Sequence, residues 1–315
     1  MVHGTREVFQ YALCGGCGSL ALVNPPKDLT PYYKDYYSTS APAQNALNAP
    51  SLLSRLFLNR FRAWAMRYSI LGSGPLARFI YFRKTVDSLA WGPLFNELQK
   101  ARVPLSLGTR FLDVGSGGGR ALHLLAAAGF THLTGCDPFI DRDIALEPSG
   151  VIHKGALESV NGLFDVIMFH HCFEHVPDPP ETLITAASLL APEGIIVIRF
   201  PNIDSVEFEK FKGNWWGIHA PRHFFLPSQT GMQLMAQNAG LEIQFAYCDS
   251  TFDHYLYSTE YEMDIHDRHP KSFRADSAGL WTTADLNAAR QKAARYNREM
   301  RGDWIAYVLR HPKHD

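Results

Sequence analysis

The stretch FLDVGSGGGR, residues 111–120, decides the fold of this chain. A short apolar run ends in an aspartate and is followed by four glycines in five positions. A glycine-rich turn directly after a strand lets a nucleotide ligand approach the backbone closely. The stretch therefore predicts a strand, a turn and a helix that together form part of a cofactor site.

Apolar runs and helical patterns alternate around this stretch. Short apolar runs cover 110–114, 133–137, 164–169 and 195–200, and helices are predicted over 120–128 and 180–190. LAPEG at 190–194 predicts a helix end and a turn. A strand at 241–248, a charged helix at 284–300 and a strand at 303–310 follow. Such alternation is typical of a doubly wound parallel α/β sheet.

Three regions are predicted along the chain: an irregular, ribbon-like segment over 1–40, a helical lid or capping region over 41–104, and a cofactor-binding domain over 105–315. The stretch 36–86 holds no acidic residue but carries seven basic ones: Arg55, Arg60, Arg62, Arg67, Arg78, Arg83 and Lys84. A basic amphipathic stretch of this kind suits a lid that grips an anionic acceptor. Docking on a membrane or partner surface, and an ordinary solvated helix face, remain open as alternatives.

Net charge and composition limit the classes of partner and the location that are expected for this protein. The net charge is −1 at neutral pH, and no long apolar run or signal-type N-terminus occurs, so we predict a cytoplasmic protein with no nucleic-acid partner and no transmembrane segment. A small-molecule substrate is expected, and a homodimer is allowed. The five cysteines are an odd number, which disfavours a disulfide framework.

The glycines do not match the dinucleotide fingerprint. That fingerprint needs a small third residue, but counting from Gly115 the position holds Arg120, and counting from Gly117 it holds Leu122. The pattern that does fit is Asp113-x-Gly115-x-Gly117-x-Gly119, in which a strand-end carboxylate suits a cofactor that carries an ammonium group. S-adenosylmethionine has that ammonium and a sulfonium. Asp137 ends the next predicted strand, at the position of an acidic residue that binds a ribose diol.

Several motifs in this order resemble a known family. They are LDVGSGGG, GCD, FDVIMFHHCFEHVPDP, LLAPEGIIVIRFPN and HAPRHFFLPSQTGMQLMAQNAGLE. Together they resemble the class I S-adenosylmethionine-dependent methyltransferases, in the branch with sugar, quinone-type and small-metabolite members. The resemblance covers roughly residues 105–250 and the last strand. It implies a Rossmann-like, doubly wound, mostly parallel seven-stranded sheet.

The resemblance also implies cofactor-binding residues. Asp113, Gly115 and Gly117 would line the methionine part, and Asp137 would bind the ribose. The segment 156–158, with Ala156 and Leu157, would flank the adenine. His170, at the end of a predicted strand, would close the pocket near the methyl group.

Histidines supply the predicted catalytic residue. Methyl transfer is an in-line displacement, and a general base assists when the acceptor is a hydroxyl. In the sugar methyltransferases that this chain resembles, the histidine matching APRHFF lies near the acceptor, so His223 is the predicted base and His175 the second choice. Activity is then expected to rise with pH through the pKa of that histidine. A purely structural histidine held by aromatic neighbours is the alternative for His223. Acceptor-binding residues are predicted at His171, His219, Arg222 and Trp216.

Cys14 and Cys17, in CGGCG, look like one knuckle of a zinc ribbon. Relatives in the family often carry two such pairs at the N-terminus. A closed structural zinc site takes four ligands, and no second close pair occurs in the sequence. We therefore interpret the motif as a remnant turn and predict no metal.

The predicted function is methyl transfer from S-adenosylmethionine to a hydroxyl of a sugar, a sugar nucleotide or a related metabolite. The alternative is a C-methyltransferase that acts on a keto sugar or on a quinone-like or polyketide metabolite. A nicotinamide-dependent oxidoreductase and a non-catalytic binding protein are less favoured, because the fingerprint fails and the cofactor motif is intact.

Overall fold

The computed structural model describes residues 7–33, 98, 101, 103–276 and 279–313. The predicted lid over 41–104 lies almost wholly outside these residues, and its basic stretch lies entirely outside them.

A large mixed sheet forms the centre of the domain. Its eight strands are β3 (Arg110–Val114), β4 (His132–Asp137), β5 (Ile144–Leu146), β6 (Gly150–Lys154), β7 (Phe164–His170), β8 (Leu190–Pro201), β10 (Glu242–Cys248) and β11 (Trp304–Arg310). They lie in the order β10-β11-β8-β7-β3-β4-β6-β5. The five central strands from β8 to β6 pair in parallel, whereas β10, β11 and β5 pair antiparallel. The predicted doubly wound, mostly parallel α/β sheet is confirmed.

Two local predictions differ from the structure. The sheet has eight strands rather than seven, because β5 adds to β6 as a short antiparallel edge. Three residues are too few to show the alternation by which a strand is recognised in a sequence. The segment 190–194, predicted as a turn, is the irregular start of β8, where the partners of β7 jump from Leu190 to Ile195.

The helices are α1 (Thr30–Tyr33), α2 (Arg120–Ala127), α3 (Pro179–Ser188), α4 (Val206–Phe211), α5 (Gln229–Asn238), α6 (Asp253–Glu262) and α7 (Thr283–Arg298). Side chains cap the N-termini of several of these helices. The Asp178 carboxylate accepts from the Glu181 amide at α3, and Ser228 accepts from the Gly231 amide at α5. Helix α7 begins with a reciprocal capping box between Thr282 and Asp285. The helices predicted over 120–128, 180–190 and 284–300 thus form within two residues of their predicted ends.

The core lies on both faces of the sheet. Alternate residues of one strand point to opposite faces, so Leu112 and Ile196 join one apolar cluster while Phe111 and Val166 join the other. Because both faces are covered, ligands reach the central strands only at their ends. The carboxyl ends of β3, β4 and β7 therefore define the edge at which a site is expected.

The N-terminal segment forms a separate small sheet. Strands β1 (Tyr11–Leu13) and β2 (Leu20–Leu22) make a hairpin, and β2 pairs with the two-residue strand β9 (Phe225–Leu226). The cysteine motif is the turn of this hairpin. None of the helices in the described part of the chain combines the length and apolar character needed to cross a membrane.

Candidate functional site

The glycine turn joins β3 to α2 in a left-handed backbone conformation. Gly115, Gly117 and Gly119 have φ angles of 68°, 52° and 73°. A Cβ on Gly115 would lie 2.5 Å from the Cβ of Cys172, whereas one on Gly117 would meet no atom within 4 Å. Glycine is therefore required at 115 by packing and by φ, and the backbone at 117 lies beside open space.

Asp137 ties the end of β4 to this turn. Its two carboxylate oxygens accept hydrogen bonds from the backbone amides of Gly117 and Phe139, each at 2.8 Å. The side chain is buried. Each oxygen keeps a further lone pair, so the carboxylate can also accept from the hydroxyls of a bound ribose.

Asp113 lies beside Asp137 at the end of β3 and is also buried. Burial, and next the charge of Asp137, raise the pKa of Asp113 to about 7. Two buried carboxylates at the ends of adjacent strands favour a ligand that brings positive charge. A ligand with an ammonium group and a diol, such as S-adenosylmethionine, fits this pair of carboxylates.

The other predicted cofactor residues lie on neighbouring strand ends. Ala156 is exposed just after β6, and Leu157 is buried at the start of a 3₁₀ turn, Leu157–Ser159. His170 is the last residue of β7. Burial, with the charge of Arg199 second, lowers the pKa of His170 to about 3, so its ring is neutral.

A second cluster forms where the chain leaves β7. The 3₁₀ turn Phe173–His175 brings Glu174 and His175 against His223, which lies just before β9. One ligand atom from each of the three side chains lies within 4.8 Å of the others. The Nε2 atom of His223 is 3.9 Å from Oε1 of Glu174. We call these three residues the EHH cluster.

Backbone carbonyls fix the histidine tautomers in the EHH cluster. Nδ1 of His223 lies 2.8 Å from the Gly217 carbonyl oxygen, and Nδ1 of His175 lies 2.8 Å from that of Arg222. A carbonyl oxygen only accepts, so each Nδ1 carries the proton and each Nε2 holds a lone pair. Burial lowers the pKa of His223 well below its ordinary value and that of His175 to about 4. Both rings are therefore neutral, and the expected rise of activity through a histidine pKa would lie below the usual imidazole range.

Glu174 is the residue that the sequence analysis missed. Its side chain is 1% exposed, and Oε2 has no hydrogen-bond partner among the described residues. Burial raises the pKa of Glu174 to about 8. The sequence held no signal that distinguishes Glu174 from an exposed glutamate, because its burial follows from the packing of the 3₁₀ turn Phe173–His175.

Cys172 connects the two parts of the site. Its thiol donates to the Val114 carbonyl oxygen at 2.8 Å, and its Cβ packs where a side chain on Gly115 would otherwise lie. Burial raises the pKa of this thiol well above its ordinary value. The cysteine is thus a protonated packing residue, and it holds the EHH cluster next to the glycine turn.

His171 belongs to a buried polar network beside the EHH cluster. Arg199 donates to His171 Nε2 at 2.5 Å and forms an ion pair of 2.9 Å with Asp249. Because Nε2 accepts, the proton of His171 sits on Nδ1, which lies 3.7 Å from Oε1 of Glu174. His171 therefore faces the same carboxylate as His223.

The remaining predicted acceptor residues surround His223. His219 stacks on His223 with ring centroids 5.1 Å apart, and its Nδ1 accepts from Arg222 at 2.6 Å. Trp216 is buried and contacts His219 edge to face at 4.4 Å. The structure therefore gathers His175, His219, Arg222 and Trp216 around His223, while His170 and the Asp113–Asp137 pair lie at the strand ends.

Comparison with known proteins identifies the family. Residues 84–244, just over half of the 315-residue chain, match the family described as a methyltransferase domain. The chain belongs to the methyltransferase domain family. The match confirms the predicted class of S-adenosylmethionine-dependent methyltransferase and its cofactor.

Curated relatives of this methyltransferase cover parts of the chain. A ubiquinone biosynthesis O-methyltransferase from Caulobacter sp. (strain K31) is 34% identical over 107 residues, which are 30% of this chain and 42% of the relative. The C-methyltransferase NovU from Streptomyces niveus is 27% identical over 186 residues, covering 56% of this chain and 40% of that protein. The chain thus spans about two fifths of the length of these two relatives.

Solved structures with a similar backbone include an S-adenosylmethionine-dependent methyltransferase from Mesorhizobium loti. It is 13% identical, has a TM-score of 0.43, and is matched over 72% of this chain and all of its own.

Proposed function

We propose that this methyltransferase transfers the methyl group of S-adenosylmethionine to a hydroxyl of a small-molecule acceptor, such as a sugar, a sugar nucleotide or a related metabolite. The observation that carries the proposal is the EHH cluster, which holds neutral histidines beside the glycine turn through Cys172. Neutral imidazole acceptors next to a methyl donor suit removal of a hydroxyl proton.

In the proposed reaction, the chain aligns the acceptor oxygen with the methyl carbon for an in-line displacement. The acceptor hydroxyl loses its proton to Nε2 of His223, or of His175 as second choice. In its ionised form, above its pKa of about 8, Glu174 would stabilise the imidazolium that forms, because its Oε1 lies 3.9 Å from that nitrogen. Trp216 and His219 would wall the acceptor from water, and Arg222 and His171 would contact its polar groups.

The identity of the acceptor is tested with a metabolite extract and cofactor labelled on the methyl group. The product that gains the labelled methyl is isolated, and its bond is assigned by NMR. A methoxy signal is the expected result. Turnover of no acceptor, together with retained cofactor binding, would instead favour a non-catalytic protein.

Methyl transfer to carbon is the second candidate, because the relative NovU is named a C-methyltransferase and matches more than half of this chain. The same histidine would then remove a proton from carbon next to a keto group. A new C-methyl signal in the NMR experiment would select this alternative.

Asp137 is expected to support cofactor binding strongly. Asp137→Ala removes the acceptor for the proposed ribose contact and for the Gly117 and Phe139 amides. We expect binding of S-adenosylmethionine to weaken by about 1 to 3 kcal/mol, the cost of stranding polar groups. Calorimetry measures this, with the exposed Asp141→Ala as the control that retains affinity. Equal affinity of Asp137→Ala and the unaltered protein would refute the ribose assignment.

Asp113 is expected to make cofactor binding depend on pH. Below its pKa of about 7 the carboxyl is neutral, and above it the carboxylate attracts the ammonium of the cofactor. Affinity for S-adenosylmethionine relative to Asp113→Asn should therefore rise as pH increases from about 6 to about 8. The ratio of the two affinities at each pH cancels any effect of the cofactor's own ionisation. A ratio that stays constant over this range would argue against contact between Asp113 and the ammonium.

Four finer properties stay predictions. They are the cytoplasmic location, an anionic acceptor gripped by the 41–104 region, the absence of a nucleic-acid partner, and a homodimer. Binding of NADH, tested in the same calorimeter, is expected to be undetectable because the third glycine of the dinucleotide fingerprint is missing.

A further inference from the structure

We propose that the EHH cluster binds a first-row divalent cation, such as Mn²⁺ or Zn²⁺. The inference deepens the proposed function, on which it rests only for the location of the acceptor beside the cluster. It departs from the sequence-based prediction of no metal, which concerned the cysteine motif.

The first argument is the convergence of hydrogen-bond acceptors. Glu174 Oε1 and His223 Nε2 lie 3.9 Å apart, too far for a hydrogen bond and without a proton on the nitrogen. Oε2 of Glu174 is buried without a partner among the described residues. Without a positive group among these buried atoms the Glu174 carboxyl keeps its proton, and a cation that binds there would displace that proton into solvent. A cation at the centre satisfies all three side chains at once.

The second argument is the support behind the ligands. Histidines that bind metals donate their other ring N–H to a carbonyl or carboxylate, which fixes the ring and directs its lone pair. His175 and His223 both do this, with the carbonyls of Arg222 and Gly217. The remaining nitrogen of His171, Nδ1, lies 3.7 Å from Oε1 of Glu174, beyond hydrogen-bond distance, and its Nε2 accepts from Arg199.

The ligand atoms of the EHH cluster must move slightly closer together to bind a cation. Ligand atoms at about 2.0 to 2.2 Å from a tetrahedral zinc ion lie roughly 3.5 Å from one another. The atoms of the EHH cluster lie within 4.8 Å of one another, so inward shifts of about 1 Å complete the site. His175 is partly buried and is the most accessible of the three ligands.

The ligand set selects the class of cation. Two imidazoles and one carboxylate suit Mn²⁺, Fe²⁺, Co²⁺ and Zn²⁺, whereas Mg²⁺ and Ca²⁺ prefer oxygen ligands only. Three protein ligands leave a position for the acceptor oxygen. A hydroxyl bound there loses its proton more readily, because the cation stabilises the alkoxide. When the cation is bound, Nε2 of His223 is a ligand and not the proton acceptor, so the proton of the bound hydroxyl passes to solvent water.

The test measures bound metal in the full chain. Cys14→Ser/Cys17→Ser serves as the background, so that the hairpin thiols contribute nothing. The protein is stripped with a chelator, dialysed against Mn²⁺ or Zn²⁺, and analysed by inductively coupled plasma mass spectrometry. The expected result is close to one equivalent of metal per chain and a raised thermal midpoint. Mg²⁺ at the same concentration should produce neither.

Variants then assign the metal to its ligands. Glu174→Gln and His223→Gln in the same background should weaken metal binding about tenfold or more. His153→Gln, at an exposed histidine outside the site, is the matched control and should bind like the background. Calorimetry with S-adenosylmethionine verifies that each variant is folded.

Each outcome separates this inference from the proposed function. If the background protein binds S-adenosylmethionine but contains no metal, the metal site is refuted and the proposed function is unaffected. The same conclusion holds if metal remains bound in both ligand variants. Metal that is found in the unaltered protein but not in Cys14→Ser/Cys17→Ser belongs to the hairpin, and this result also refutes the metal site at the EHH cluster. Stoichiometric metal in a protein that methylates no acceptor would support the site while refuting the proposed function.

Discussion

Replacing His223 by alanine is expected to lower turnover about a hundredfold or more while changing the affinity for S-adenosylmethionine less than about threefold. The ring is buried in the EHH cluster, next to the proposed acceptor position, whereas Asp113 and Asp137 lie at the ends of other strands. Under the proposed function the side chain is expected to act on the acceptor and to contribute little to cofactor binding. Steady-state kinetics and calorimetry measure the two quantities.

Two further variants make this result interpretable. His223→Gln retains a group that can donate to the Gly217 carbonyl oxygen, so it separates a folding defect from a chemical one. His153→Ala removes an exposed histidine elsewhere and should keep both activity and affinity. Normal turnover of His223→Ala would transfer the proposed role to His175 or to no residue. A loss of cofactor binding would show that His223 supports the cofactor pocket.

Replacing Gly115 by alanine is expected to lower the free energy of unfolding by about 2 to 4 kcal/mol. The new methyl group would lie 2.5 Å from the Cβ of Cys172, which is fixed to the chain and cannot rotate away. The φ angle of 68° adds the strain of a left-handed conformation. Urea denaturation monitored by circular dichroism measures the change.

Gly118→Ala is the matched control for this substitution. It lies three positions later in the same turn, its φ is not positive, and its Cβ would meet no atom within 4 Å. Its free energy of unfolding should remain within about 0.5 kcal/mol of the unaltered protein. Equal stability of Gly115→Ala and Gly118→Ala would mean that the turn and the 172–175 segment do not pack as described.

Local sequence patterns were sufficient to predict the central strands and the main helices of the domain. The strands at 110–114 and 164–170 and the helix at 179–188 follow from apolar runs, glycines and helical periodicity, which act within a few residues of one another. The edge strand Ile144–Leu146 escaped prediction because its identity as a strand comes from pairing with β6. The segment 190–194 was predicted as a turn from its proline and glycine, yet pairing with β7 makes it the start of a strand.

The sequence by itself determined the fold class, the glycine turn and the cofactor, because each depends on residues close together in the chain. Asp113 and the four glycines of 115–119 lie within seven consecutive positions. Only the tertiary structure decided the composition of the EHH cluster, since Glu174 and His223 are far apart in sequence and meet through the packing of two loops. Burial, the carbonyl partners of the histidines and the Glu174 oxygen that has no partner among the described residues are properties of that packing, and they have no signature in the order of the residues.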